Sequence, residues 1–77
     1  MLISLEVRGI VQGIGFRPYV HRLGGSLGLN GYVINKGDHV LIVVQGDGGP
    51  LRDFENALQN PELDGCFIRE LTKREPT

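Results

Sequence analysis

Cysteine is nearly absent from this sequence. Its 77 residues include a single cysteine, Cys66. One cysteine cannot form a disulfide within the chain, and alone it cannot make a zinc site, which needs several Cys or His ligands at set spacings. A free thiol fits a reducing compartment better than a secreted setting. The sequence therefore excludes a disulfide-stabilised scaffold and predicts no metal site.

A surplus of positive charge and a long apolar run are also lacking. The 8 Lys and Arg residues are balanced by 9 Asp and Glu, which leaves a net charge of −1. Nucleic-acid-binding domains usually carry a basic surplus, so this balance argues against that partner. No apolar run approaches the length of about 20 residues that spans a membrane, and the alternating start MLISLEVRG lacks the pattern of a signal peptide. We expect a cytoplasmic chain with neither a nucleic-acid nor a membrane partner.

The apolar residues that are present follow the periods of strands and helices. Ile3, Leu5 and Val7 alternate with polar residues, which predicts a half-buried strand. Apolar residues from Phe16 onward recur at helical spacing, and Pro50 suits the first turn of a second helix. The predicted elements are a strand over 3–7, a helix over 16–27, strands over 31–35 and 39–45, a helix over 50–60 and a strand over 66–72.

The order β-α-β-β-α-β predicts the fold. Right-handed crossovers fold this order into a ferredoxin-like α+β sandwich, with a four-stranded antiparallel sheet and two helices on one face. We predict one domain over residues 1–77, in which either Val40, Ile42 and Val44 or their neighbours Leu41 and Val43 face the helices. Many unrelated functions use this fold, so the fold alone decides no function.

The segment Gly9–Pro18, GIVQGIGFRP, joins the first strand to the first helix and is rich in glycine. Small residues let backbone N–H groups converge on an anion, and a helix N-terminus adds positive potential. The planar guanidinium of Arg17 can then bind the anion through several N–H donors. A Walker A loop is excluded because no Gly-Lys-Ser/Thr follows, and the dinucleotide motif GxGxxG fails at Pro18. A structural turn with a surface arginine is the alternative interpretation.

Two segments resemble the signatures of the acylphosphatase family. Val11–Arg17, VQGIGFR, is similar to VQGVxFR, and Gly31–Asn35, GYVIN, is similar to G-[WY]-V-x-N. They stand in the order and at the spacing that the family uses, and the resemblance covers most of the chain. The resemblance implies that Arg17 and Asn35 are catalytic, with Arg17 binding phosphate and Asn35 orienting water. The phosphate-binding residues that it implies are Gln12, Gly13, Ile14, Gly15, Phe16 and Arg17.

A narrower resemblance concerns Gly15–Val20, GFRPYV. It is similar to the GFRPFV run that opens HypF, the carbamoyltransferase of hydrogenase maturation, which continues into zinc-finger and larger catalytic domains. The resemblance implies the N-terminal domain of a HypF-like protein and carbamoyl phosphate as the natural substrate. Acylphosphatases often end in a fifth, edge strand, and since this sequence stops at Thr77 we expect the strand over 31–35 to lie at an edge.

The implied reaction needs few groups. Hydrolysis of an acyl phosphate at phosphorus expels a carboxylate whose conjugate acid resembles Glu, with a pKa of about 4.3. Such a group leaves without being protonated, so positioning and charge stabilisation suffice. No metal or organic cofactor is implied, and inorganic phosphate is the expected product and inhibitor.

Two alternatives remain open at this point. A non-catalytic module could bind acyl phosphate or phosphate within a larger carbamoyltransferase. An RNA-recognition module shares the strand order, but the third strand, HVLIVVQG, lacks the aromatic residues that stack on bases. His21, one turn after Arg17, could touch the site, whereas His39 is interpreted as exposed and Cys66 as a small buried hydrophobe.

Overall fold

The computed structural model describes residues 1–11, 13 and 15–74. Its elements are β1 (Leu2–Ile10), α1 (Phe16–Ser26), β2 (Asn30–Asn35), β3 (Val40–Gln45), α2 (Gly48–Gln59) and β4 (Phe67–Arg74). The strands form one antiparallel sheet in the order β2-β3-β1-β4. The predicted α+β ferredoxin-like fold is confirmed. Neither helix is long and apolar enough, within the described residues, to cross a membrane.

The central strands β1 and β3 supply one face of the core. Leu5 of β1 lies opposite Ile42 of β3, and both are buried. The alternation of β3 therefore turns its even-numbered residues toward the helices and leaves Leu41 and Val43 on the other face. The buried core residues are Ile3, Leu5, Val7, Val11, Phe16, Val20, Leu29, Val40, Ile42, Val44, Leu51, Phe54 and Leu58.

The second helix begins earlier than its proline predicted. α2 starts at Gly48, so Pro50 is its third residue rather than its first. The N–H groups of the first turn have no partner inside a helix, so a proline at this position removes no intrahelical hydrogen bond. Leu51, the next residue, donates its backbone N–H to the Asp47 carbonyl at 3.0 Å. The start of a helix can therefore lie before its proline.

The last strand carries an irregularity that explains its imperfect alternation. Ile68 and Leu71 both pack against the core although they are three residues apart. Arg8 pairs with Glu70 and the next residue of β1 pairs with Ile68, which leaves Arg69 as an extra residue. Such a bulge shifts the alternation by one residue, so both apolar side chains reach the same face. β4 also runs to Arg74, two residues beyond its predicted end.

The sheet has two edges of different character. β2, NGYVIN, lies at one edge as expected and contains no charged residue, whereas β4 at the other edge carries several. The register sets Asn35, at the end of β2, opposite Val40, and sets Val40 opposite Val7 of β1. From Val7, β1 continues to Ile10 and then into the glycine-rich loop that leads to α1. The end of β2 therefore lies near the start of α1.

Candidate active site

The loop between β1 and α1 is anchored by an apolar side chain at each end. Val11 is 2% exposed and Phe16 is 1% exposed, so both side chains are part of the core. Between them, Gly13 and Gly15 have φ values of 76° and 82°, which L-residues with side chains rarely adopt. The conformation of the chain at these two exposed positions therefore favours glycine.

The first turn of α1 presents positive potential at the end of this loop. Gly15 is the N-cap residue, no acidic side chain lies in the first turn, and no described side chain caps the helix. Uncapped N–H groups and the helix dipole together favour an anion at this end. Arg17 is exposed, and no carboxylate in the described part of the chain forms an ion pair with it. Its guanidinium adds a full positive charge at the same place.

A cavity of about 150 Å³ brings the predicted catalytic residues together. Arg17 lines it from α1, and Asn35 lines it from the end of β2. Gly13, Gly15 and Phe16 also line it, but the buried ring of Phe16 leaves only its backbone for an anion. Gln12 and Ile14, the other predicted phosphate-binding residues, lie outside the described residues. The remaining lining residues are Val11, Pro18 and Val40.

Asn35 is held at this position by the sheet and by the turn that follows. It is exposed and is the last residue of β2, paired with the buried Val40 of β3. Its Oδ1 atom accepts a hydrogen bond of 2.9 Å from the backbone N–H of Gly37. The side-chain amide is therefore fixed at its oxygen end by the β2–β3 turn.

The other candidate side chains lie elsewhere. His21 lines a different cavity, between α1 and β2, and does not line the one that holds Arg17. His39 is bonded through Nδ1 to Oδ1 of Asp38 at 2.7 Å, and this hydrogen bond holds the pKa of Asp38 below its ordinary value. Burial raises the pKa of the half-buried Cys66 thiol, which makes it a weaker nucleophile at neutral pH.

No group of three His, Cys, Asp or Glu side chains among the described residues is placed to hold a metal ion.

Sequence reasoning missed two residues that shape this site. Val40 forms part of the cavity wall, and Gly37 holds the Asn35 side chain. Val40 was predicted only as a possible core residue, because its position beside Asn35 depends on strand register. Gly37 had a local signal, since an Asn followed two residues later by a Gly is typical of a turn in which the Asn side chain bonds its own backbone.

Comparison with known proteins agrees with this geometry. The family model for acylphosphatase matches residues 3–76. The chain belongs to the acylphosphatase family. This membership supports a hydrolase that acts on acyl phosphates. The predicted resemblance to the N-terminal part of HypF is also confirmed, because HypF proteins are among its relatives.

Three similar proteins illustrate the range of the family. A probable HypF carbamoyltransferase of Methanocaldococcus jannaschii is 45% identical over 76 residues, which cover 92% of this chain and 10% of that protein. The crystal structure of acylphosphatase from Bacillus subtilis matches with a TM-score of 0.85 and 31% identity, over 96% of this chain and 83% of that one. Full-length HypF in its phosphate- and nucleotide-bound form matches with a TM-score of 0.92 and 29% identity, over 97% of this chain and 10% of that one.

The lengths of these relatives differ greatly. The chain spans about a tenth of the HypF proteins that it matches. It spans most of the Bacillus subtilis enzyme. What the long proteins do as a whole therefore does not transfer directly to this domain.

Proposed function

We propose that this domain hydrolyses small acyl phosphates, with Arg17 binding the phosphate and Asn35 positioning the attacking water. The observation that supports this most directly is that Arg17, Asn35 and the loop glycines line one and the same cavity. Two side chains from separate elements converge there on a surface of positive potential. The cavity, at about 150 Å³, is smaller than the roughly 300 Å³ of the smallest typical ligand pockets. It suits a group of about the size of a phosphate.

The chemistry requires no acid for the leaving group. A water oxygen forms a bond to phosphorus while the bond between phosphorus and the acyl oxygen breaks. The electron pair leaves on the carboxylate, which is stable without a proton, and the proton of the water passes to a phosphate oxygen. The groups needed are donors that neutralise the phosphate and a group that holds the water in line. Arg17, the backbone N–H groups of the loop and helix start, and Asn35 match that list.

We propose carbamoyl phosphate as the natural substrate, with carbamate and inorganic phosphate as products. The support is the 45% identity to a probable HypF carbamoyltransferase. In this proposal residues 1–77 form the N-terminal domain of a HypF-like protein in the cytoplasm. The free, half-buried thiol of Cys66 is compatible with a reducing compartment.

The experiment measures inorganic phosphate released from carbamoyl, acetyl and benzoyl phosphate, without added metal and with a chelator present. We expect turnover of all three. A simple alkyl phosphate is the matched control, and its hydrolysis should stay near the uncatalysed rate, because an alkoxide is a poor leaving group when no acid protonates it.

Three results would contradict the proposal in different ways. Equal rates on acyl and alkyl phosphates would mean that the site does more than position an activated substrate. Activity that the chelator abolishes would indicate a metal. Phosphate binding without any release from acyl phosphates would identify the domain as the non-catalytic binding module.

A further inference from the structure

The turn that follows Asn35 has a defined hydrogen-bond pattern. The backbone N–H of Lys36 donates to the carbonyl of His39 at 2.9 Å, which closes the turn between β2 and β3. Inside the turn the backbone N–H of Gly37 donates to Oδ1 of Asn35, also at 2.9 Å. The next residue after His39 is Val40, which is buried in the core at 1% exposure. The turn is thus attached to the sheet on both sides.

This hydrogen bond identifies which atom of the Asn35 side-chain amide is the oxygen and which is the nitrogen. A backbone N–H can only donate, so the atom of the amide that faces Gly37 must be the oxygen. The oxygen and nitrogen of a carboxamide point in different directions from one carbon. With the oxygen directed into the turn, the donor end of the amide is directed away from the turn, on a residue that lines the Arg17 cavity.

The conformation of Gly37 makes this arrangement dependent on glycine. Its φ is +94°, in the region that L side chains rarely adopt. A Cβ atom built on it would meet nothing within 4 Å. Replacing Gly37 with another residue would therefore act through the backbone conformation of the turn and not through a steric clash.

Resting on the proposed function above, we propose that Gly37 is a positioning residue for the hydrolysis. Its N–H holds the Asn35 amide with the nitrogen as the group that donates to the attacking water or to a phosphate oxygen. An amide in the opposite orientation would present an acceptor to an anion, which is unfavourable. Gly37 contacts neither substrate nor water in this role, and it acts through Asn35.

The test compares Gly37→Ala with a matched control at Gly28. Gly28 also has a positive φ, of 71°, and also has open space at its Cβ position, but it follows α1 at the opposite end of β2. Both changes impose the same kind of backbone strain. We expect Gly37→Ala to lower kcat for acetyl phosphate by about tenfold, with KM and phosphate inhibition within about twofold. Gly28→Ala should leave kcat within about twofold of wild type, provided both are assayed well below their melting temperatures.

A rescue variant separates conformation from the identity of the residue. Asn adopts positive φ several times more readily than other side chains, so Gly37→Asn should recover most of the lost turnover. A structural signature accompanies the kinetics. Nuclear magnetic resonance should detect a scalar coupling across the hydrogen bond, between the Gly37 amide nitrogen and the Asn35 Cγ carbon, in wild type and weakened in Gly37→Ala.

The outcomes distinguish this inference from the proposed function. An active wild type in which Gly37→Ala behaves like Gly28→Ala, or in which the coupling is absent, contradicts only the positioning role of Gly37. A wild-type protein without acyl phosphate hydrolysis contradicts the proposed function, and the role of Gly37 with it. A kcat loss confined to Gly37→Ala, recovered in Gly37→Asn and accompanied by the weakened coupling, supports the inference.

Discussion

Arg17 and Asn35 line one cavity, but their surroundings suit them to different tasks. Arg17 is a charge at the positive end of α1, without an ion-pair partner in the described residues. Such a charge attracts phosphate before and during the reaction alike. Asn35 is neutral, and its Oδ1 accepts a hydrogen bond of 2.9 Å from the Gly37 N–H. In the proposed function it holds the water against the bound substrate. The two side chains should therefore affect different kinetic constants.

We expect Arg17→Ala to weaken inhibition by inorganic phosphate and to reduce turnover, because a hydrogen bond to a charged group contributes about 1.5–3 kcal/mol. Asn35→Ala should lower kcat by about 10²–10³, in line with the loss of one preorganised polar group. Its phosphate affinity should stay close to wild type. The measurement is the phosphate inhibition constant of each variant beside its kcat.

A matched control keeps the charge of Arg17. Arg17→Lys retains a cation but loses the planar fork of donors, so its phosphate affinity should fall between wild type and Arg17→Ala. If Asn35→Ala loses phosphate binding as severely as Arg17→Ala, or keeps full turnover, the water-positioning role of Asn35 is wrong.

At the scale of elements, the last turn of α1 contains residues that lower its stability as a helix. Two adjacent glycines, Gly24 and Gly25, lie in its last turn, and glycine lowers helix stability relative to Ala. Gly24 is buried, and a Cβ there would lie 3.8 Å from Cε1 of Phe54, an ordinary contact. Gly25 is exposed, with open space at its Cβ position. Packing therefore does not require a glycine at position 25.

We predict that Gly25→Ala raises the free energy of unfolding by about 0.4–1 kcal/mol, since the helical backbone already suits an L side chain. Gly28→Ala, three residues later and at a φ of 71°, should lower the free energy of unfolding by more than that. Urea unfolding of the two variants is the measurement. Because both positions have open space at Cβ, a result of the same sign for both would mean that backbone conformation does not control stability here.

At the scale of the whole molecule, ion pairs join β1 to the edge strand β4 on the sheet face away from the helices. Glu6 accepts from Arg74 at 3.0 Å and from Arg8 at 3.3 Å, and Arg8 also reaches Glu70 at 3.4 Å. Desolvation raises the pKa of Glu6, but the charges and hydrogen bonds of Arg74 and Arg8 outweigh it. The net result is a pKa below the ordinary value of 4.5.

This lowered pKa links stability to pH. The unfolded chain binds a proton at Glu6 at a higher pH than the folded chain does, so stability from this group is present above pH 4.5 and is lost as the pH falls through the folded value. We expect the free energy of unfolding to decline below about pH 4.5 in wild type and to decline less steeply in Glu6→Gln. Urea unfolding at neutral and acid pH measures both.

The control for the acid prediction is Glu62→Gln. Glu62 is exposed, and its carboxylate forms no ion pair with the described residues. The Glu62→Gln variant should show the same decline in the free energy of unfolding with pH as wild type. If the free energy of unfolding declines equally at acid pH in wild type and Glu6→Gln, solvent screening makes the Glu6 ion pairs too weak to affect stability.

Much of this protein could be predicted from local patterns. The alternation of Ile3, Leu5 and Val7 and the helical spacing after Phe16 identified the elements, because side-chain period is a property of a few neighbouring residues. Their order then left few topologies open. The Gly-rich run before Arg17 indicated an anion site for the same local reason.

The tertiary structure decided what depends on residues distant in sequence. Antiparallel register, and not any local period, brings Asn35 at the end of β2 to the cavity of Arg17. The same register turns Val40, and not Leu41, toward the helices, in a strand that is apolar on both faces. The bulge opposite Arg8 made Ile68 and Leu71 face the core together, which their spacing alone contradicts. Sequence determined which elements form and which side chains are suited to phosphate, whereas pairing between strands decided which of them meet, because register is set by the packing of the whole sheet.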